Sequence, residues 1–190
     1  MSHIAALALV LMIAFCSAAE AAGPGNAELI RQQQAALEKL ARYDGIWRGE
    51  ATVYNPDGTK LDLIQTERVG PMLDGTLRVI EGRGFLPDGT LVFNAFAVIS
   101  FSPGSGKYTF RSHAQGYAGD FPLEVHEDGF TWSVPAGPAT LRYTSTVTDD
   151  VWVEVGERVE PGKPAVKTFE MRLEKVGSTT WPAGDAPGPR

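Results

Sequence analysis

Arg83, Arg111, His113, Arg142 and Glu154 are the polar side chains of this 190-residue sequence best placed to do chemistry, because each lies inside a run of alternating residues rather than in a turn. An arginine turned inward from such a run could hold a ligand carboxylate through two parallel hydrogen bonds. A buried glutamate could orient a ligand or exchange a proton with it. Alternation argues against two of the arginines: Phe110 beside Arg111 and Leu141 beside Arg142 are apolar, so the arginines face the other way, toward water. Glu154 shares a face with Trp152 while Val151, Val153 and Val155 occupy the opposite face, and the sequence leaves open which of the two is buried.

No catalytic or cofactor motif surrounds these residues. The three histidines, His3, His113 and His126, form no HxH or HExxH spacing, so no metal site is expected. Gly104-Ser105-Gly106-Lys107 lacks the leading glycine and the Ser/Thr of a phosphate loop, and it precedes a strand; it reads as a hairpin turn. Gly82-Arg83-Gly84 lacks the third glycine and the following helix of a dinucleotide site. The sequence therefore predicts no catalytic residue and no cofactor, and leans away from an enzyme. With 17 basic and 23 acidic residues, a net charge of −6, and no Lys/Arg cluster, nucleic acid is a poor partner. A small hydrophobic or amphipathic molecule suits the composition better; nothing specifies the oligomeric state.

The elements that must position these side chains begin after residue 22. Ile4 to Phe15 is a short apolar run followed by small residues through Ala22, the pattern of a cleaved signal peptide over residues 1–22, which predicts secretion or a periplasmic location. Cys16 could in principle carry a lipid anchor, but the bulky Phe15 before it argues against lipoprotein cleavage. Cys16 is the single cysteine, so loss of the leader would leave no disulfide. The apolar run is too short to span a bilayer, and no other stretch is apolar enough. Asn26 to Arg42 has helical periodicity, with Leu29, Ile30, Ala36, Leu37, Leu40 and Ala41 on one stripe that must cover something apolar, and Asp44-Gly45 stops it. This amphipathic segment occupies residues 26–43.

From Ile46 the period changes to two. Turn signals such as Asn55-Pro56-Asp57-Gly58, Pro87-Asp88-Gly89, Pro135-Ala136-Gly137 and Pro161-Gly162 separate about ten strands, the sixth expected to start at Phe121. With no helix to cover its second face, such a sheet must close on itself or fold into a sandwich, and short hairpins throughout favour an all-β, up-and-down antiparallel barrel over residues 45–176. A tail over 177–190, rich in Pro, Gly, Ser and Thr, reads as disordered. Ten strands leave more interior room than eight. By parity the candidate ligand-binding residues are Phe93, Tyr108, Phe110, Trp132, Tyr143 and Met171, with Leu77 and Val79 also inward. Trp47, Trp152, Glu154 and Arg83 join them as candidates.

Gly45-Ile46-Trp47-Arg48-Gly49-Glu50, a Gly-x-Trp-x-Gly opening to the first strand, resembles the calycin group: lipocalins, fatty-acid-binding proteins and nitrobindin-like barrels. The preceding helix, Leu73-Asp74-Gly75-Thr76-Leu77, Trp152-Val153-Glu154-Val155-Gly156-Glu157 and Glu170-Met171-Arg172-Leu173 resemble more narrowly a secreted bacterial branch known only as a domain of unknown function. The resemblance implies a barrel plugged at one end by Trp47. The tight first turn at Asp57-Gly58 departs from the helical lid of fatty-acid-binding proteins, and the absence of histidine after His126 departs from the haem ligation of nitrobindins. Three functions stay open from sequence: a binding protein, an enzyme using Glu154 with an arginine or His113, and an envelope interaction protein with a filled barrel.

Overall fold

In the computed structural model residues 24–182 are described; the expected signal peptide with Cys16, and residues 183–190, lie outside them. The chain divides after Gln32 into two compact units. The described part of the first is the opening of helix α1 (Pro24–Glu38), where Glu28 accepts hydrogen bonds from Arg31 and Gln32. Leu29 and Ile30, on the stripe expected to be covered, are exposed.

The second unit contains the end of α1, a 3-10 turn (Ala41–Tyr43) and ten strands: β1 (Gly45–Tyr54), β2 (Lys60–Met72), β3 (Leu77–Phe85), β4 (Leu91–Ser102), β5 (Lys107–Ala114), β6 (Tyr117–Val125), β7 (Gly129–Ala136), β8 (Ala139–Thr148), β9 (Val151–Val159) and β10 (Val166–Gly177). Each strand pairs antiparallel with its sequence neighbours, and β1 pairs with β10, so the sheet is a closed up-and-down barrel as the alternation predicts. No helix among the described residues is long and apolar enough to cross a membrane.

Two hairpin turns share one chemistry. In Asn55 to Thr59 and Leu86 to Thr90 an aspartate accepts the threonine N–H at 2.9 Å, and the glycine between them takes φ of 85° and 88°. One turn carries no such signal: Gln115-Gly116, with φ of 50° and 85°, turns the chain early, so β6 starts at Tyr117 rather than Phe121.

One end of the barrel is plugged. Helix α1 stops at Glu38, short of the expected Arg42, and tightens through i to i+3 bonds from Leu40 N to Leu37 O and from Tyr43 N to Leu40 O. That geometry buries Ala36, Leu37, Leu40 and Tyr43 together with Trp47, which is fully buried. The Trp47 indole N–H donates to the Tyr43 carbonyl at 2.7 Å. Arg78, 3 % exposed, grips the Asp44 carboxylate through two bonds of 2.6 Å and donates to the Leu37 carbonyl. An exposed helix end would leave that carbonyl to water; here the guanidinium satisfies it. Gln33 donates to the Phe101 carbonyl and Tyr108 to that of Ala36, pinning the helix end to β4 and β5.

Of the tail read as starting at Gly177, residues 177–182 are described and 183–190 lie outside the described residues. Gly177 ends β10, and Trp181 lies edge-on to Phe96 at 6.4 Å and beneath the Arg68 guanidinium at 4.6 Å. Gly70 makes room: a Cβ there would sit 2.1 Å from the Trp181 carbonyl oxygen.

Candidate functional site

The other half of the barrel is hollow. A cavity of about 860 Å³ runs from a floor that includes Phe130 and Trp152 to a mouth at Pro56, Tyr117 and Ala136, and its size suits a small organic ligand.

One wall is a row of rings. Phe110 stacks on Trp132 at 4.6 Å, Trp132 on Tyr143 at 4.4 Å and 13°, and Phe169 approaches Tyr143 edge-on at 6.4 Å. Glycine permits the row: between Tyr143 and Phe169 stands Gly156 of β9, where a Cβ would lie 2.7 Å from the Tyr143 ring. On the neighbouring strands β3 and β4 and the end of β5, Gly82, Ala95, Ala97, Ser112 and Ala114 leave the space open.

Two carboxyl groups interrupt the apolar lining. Glu154 is 9 % exposed, which settles the ninth strand: Trp152 and Glu154 point inward and the valines outward. Burial pushes the Glu154 carboxyl up to about 7, against hydrogen bonding from Trp132 and Ser145 that favours its charged form. Ser145 is fully buried and accepts the Trp152 indole N–H at 2.6 Å. Glu67, 7 % exposed, is the second carboxyl. Burial raises it to about 8; the Gln65 amide opposes this by donating to Oε1 at 2.7 Å, while the charges of Glu154 and Glu81 add to the rise.

Gln65 and Glu67 were not among the sequence candidates, yet their signal is legible in hindsight. In Leu61-x-Leu63-x-Gln65-x-Glu67-x-Val69 two polar residues stand on an otherwise apolar face, and Gly84 and Gly82 are their register partners on β3. A Cβ at Gly82 would lie 2.6 Å from Glu67 Oε1, and one at Gly84 3.1 Å from Gln65 Oε1. The Gly-x-Gly that resembles half a nucleotide motif is the hollow that admits this polar pair.

Phe93, Phe110, Trp132, Tyr143, Trp152, Glu154 and Met171 all line the cavity. Three candidates do not. Trp47 belongs to the plug, and Tyr108 sits in the plugged end, its hydroxyl occupied by Ala36. Arg83 is on the outer surface, paired with Glu81 at 2.6 Å. Leu77 and Val79 share its parity and also point outward, since the inward residues of β3 are the even-numbered Ile80, Gly82 and Gly84. Val79 is nonetheless 1 % exposed, because a patch of the outer wall is itself covered. That second buried face is why alternation misassigned the strand.

His113, Arg111 and Arg142 are exposed too; Arg111 pairs with Asp120 at 2.9 Å and Arg142 with Glu157 at 2.7 Å. The combination of Glu154 with one of these arginines or His113 is therefore not assembled. Arg158, at the mouth, is the arginine that reaches the cavity, and it pairs with Glu160 at 2.9 Å. No group of three or more His, Cys, Asp or Glu among the described residues could hold a metal ion.

No protein-family model and no curated protein matches the sequence. Solved structures do share its fold. Rv2717c from M. tuberculosis aligns with a TM-score of 0.57 at 11 % identity, over 74 % of this chain and 96 % of that one. The S-type phycobiliprotein lyase CPES from Guillardia theta aligns at 0.53 with 12 % identity, over 79 % and 98 %. At these identities the likeness is one of fold, that of the calycin-like ten-stranded barrels.

Proposed function

We propose that the protein binds a small hydrophobic or amphipathic molecule inside the barrel and performs no chemistry on it, working outside the cytoplasm after loss of its leader. The observation that carries this reading is the ring-lined cavity of about 860 Å³. A ligand laid against Phe110, Trp132, Tyr143 and Phe169 gains about 25 cal/mol for each Å² of apolar surface removed from water, and the buried polar groups fix its orientation. A fold neighbour named a phycobiliprotein lyase is consistent with a barrel that takes a small ligand. A filled structural barrel is disfavoured by the open interior, and the enzyme reading by the separation of Glu154 from the outward arginines and His113.

The test is native mass spectrometry of the protein purified from its own compartment, with solvent extraction of whatever it carries. A reproducible added mass that extracts as a lipid, pigment or metabolite is expected. A bare mass on a folded chain that also takes up no hydrophobic fluorescent probe would overturn the reading.

A further inference from the structure

We propose that the molecule held in the barrel bears a protonated amine, seated at the depth of Glu67 and Glu154 with its apolar body along the row of rings. This rests on the binding reading above and adds the chemistry of the head group.

The argument is one of unmet demand inside a built cavity. Glu67 and Glu154 both line it and are both more than nine-tenths buried. Neither makes an ion pair among the described residues: Arg68 and Arg83 serve Glu81, Arg78 is taken by Asp44 and the Leu37 carbonyl, and Arg158 pairs with Glu160. What reaches the two carboxyls is neutral. One oxygen of Glu67 accepts from the Gln65 amide, while Glu154 has Trp132 and Ser145. Buried carboxyl groups without a cation are costly, and a pocket meant only for hydrocarbon would have no use for them.

The wall has instead been cut back beside one of them, by Gly82 and Gly84 opposite Glu67 and Gln65. A ligand carboxylate would be repelled by these two carboxyls as they ionise. A plain alkyl end would bury the carboxyls further without a partner. An ammonium group brings positive charge and three N–H donors at once, meeting the Glu67 and Glu154 carboxylates by charge-assisted hydrogen bonds.

The groups facing this floor set its pH response. Glu67 and Glu154 are the titrating pair, Tyr43 and Tyr143 lie near Glu154, Glu81 acts on Glu67 from the outer face, and Arg158 stands at the mouth. A bound amine stays protonated throughout the neutral range, so its affinity rises with pH as the two carboxyls lose their protons.

Dodecylamine, dodecanol and dodecanoate share a chain and differ in the head, so titrating each into the full chain isolates the head group. Calorimetry or quenching of tryptophan fluorescence reads the affinities. The amine is expected to bind about tenfold tighter than either companion, the ratio one charge-assisted hydrogen bond supplies. Glu67→Gln and Glu154→Gln should each pull the amine-to-alcohol ratio toward one. The unmutated protein gives an independent reading, because amine affinity should climb with pH while alcohol affinity stays flat. Equal binding of the three heads, or a pH-independent amine affinity, overturns the head-group inference and leaves the cavity reading standing. Binding of none of them by the folded chain removes the cavity reading as well.

Discussion

The plugged end and the hollow half of this barrel are made by the same strands with the same alternation, yet one is solid and the other empty. At the plug the inward positions carry Trp47, Val69, Ile99 and Leu173, and Leu37, Leu40 and Tyr43 enter from below. In the hollow half, one side of the wall carries glycine, alanine and serine: Gly82, Ala95, Ala97, Ser112 and Ala114. Alternation decides that a barrel forms; the volume of the inward residue decides, level by level, whether it is filled. The polar groups divide in the same way. Arg78 at the plug has its carboxylate and its carbonyl, whereas Glu67 and Glu154 in the hollow have no cation among the described residues.

That contrast can be broken in graded ways. Trp47→Ala removes the largest side chain of the plug and should cost about 3–5 kcal/mol of stability, read from denaturant unfolding. If the hollow half were the more tightly packed one, Trp132→Ala would cost more than Trp47→Ala, and the distinction would fall. The buried carboxyls give the next effect. Folded-state pKa values raised above the ordinary 4.5, to about 8 for Glu67 and about 7 for Glu154, mean that the folded chain holds protons the unfolded chain releases. Stability is then fully present below pH 4.5 and is lost as pH rises through those values, by an amount of the order of a few kcal/mol. Unfolding midpoints followed against pH should show this fall, and the double variant Glu67→Gln/Glu154→Gln should flatten it.

Arg78→Met comes third. It leaves Asp44 and the Leu37 carbonyl without their partner, but the Asp44 side chain is 32 % exposed and keeps water, so a loss of about 2–3 kcal/mol is expected rather than the full cost of an orphaned buried charge. Ala97→Leu grows into empty space instead. Unfolding should be nearly unchanged while uptake of a hydrophobic probe weakens by about tenfold, or about 1.4 kcal/mol. The smallest effect belongs to Arg142→Ala, which removes an exposed pair with Glu157 and should cost less than about 1 kcal/mol without touching probe binding.

Much of this was legible in the sequence because the relevant physics is local. Period-two alternation and Asp-Gly turns locate the ten strands, and the Pro-Asp-Gly-Thr turns form the hairpins their chemistry dictates. The rings Phe110, Trp132 and Tyr143 were readable as inward because their neighbours are polar. What escaped depends on a second surface. Leu77, Val79 and Arg83 were assigned to the wrong face because β3 is buried partly on both, and Tyr108 belongs to the plug because of where the end of α1 docks. Alternation alone does not single out Gln65 and Glu67, since a polar residue on a strand is expected to face water; only pairing with Gly82 and Gly84 across the ladder reveals where they go. Gln115 is not a residue that advertises a left-handed turn, and its hairpin was missed for that reason.

The closure of β1 on β10 has a consequence in time. Nine of the ten pairings join strands adjacent in sequence, and each forms as soon as its hairpin turns. The tenth brings together segments such as Tyr54 and Glu170, whose side chains hydrogen-bond across 116 positions of sequence. Almost all the loop-closure entropy of the barrel is concentrated in that single seam, which is expected to be the slow step of folding. Until it zips, the nascent sheet has two bare edges, so the interval before β10 finds β1 is when the chain is most exposed to aggregation.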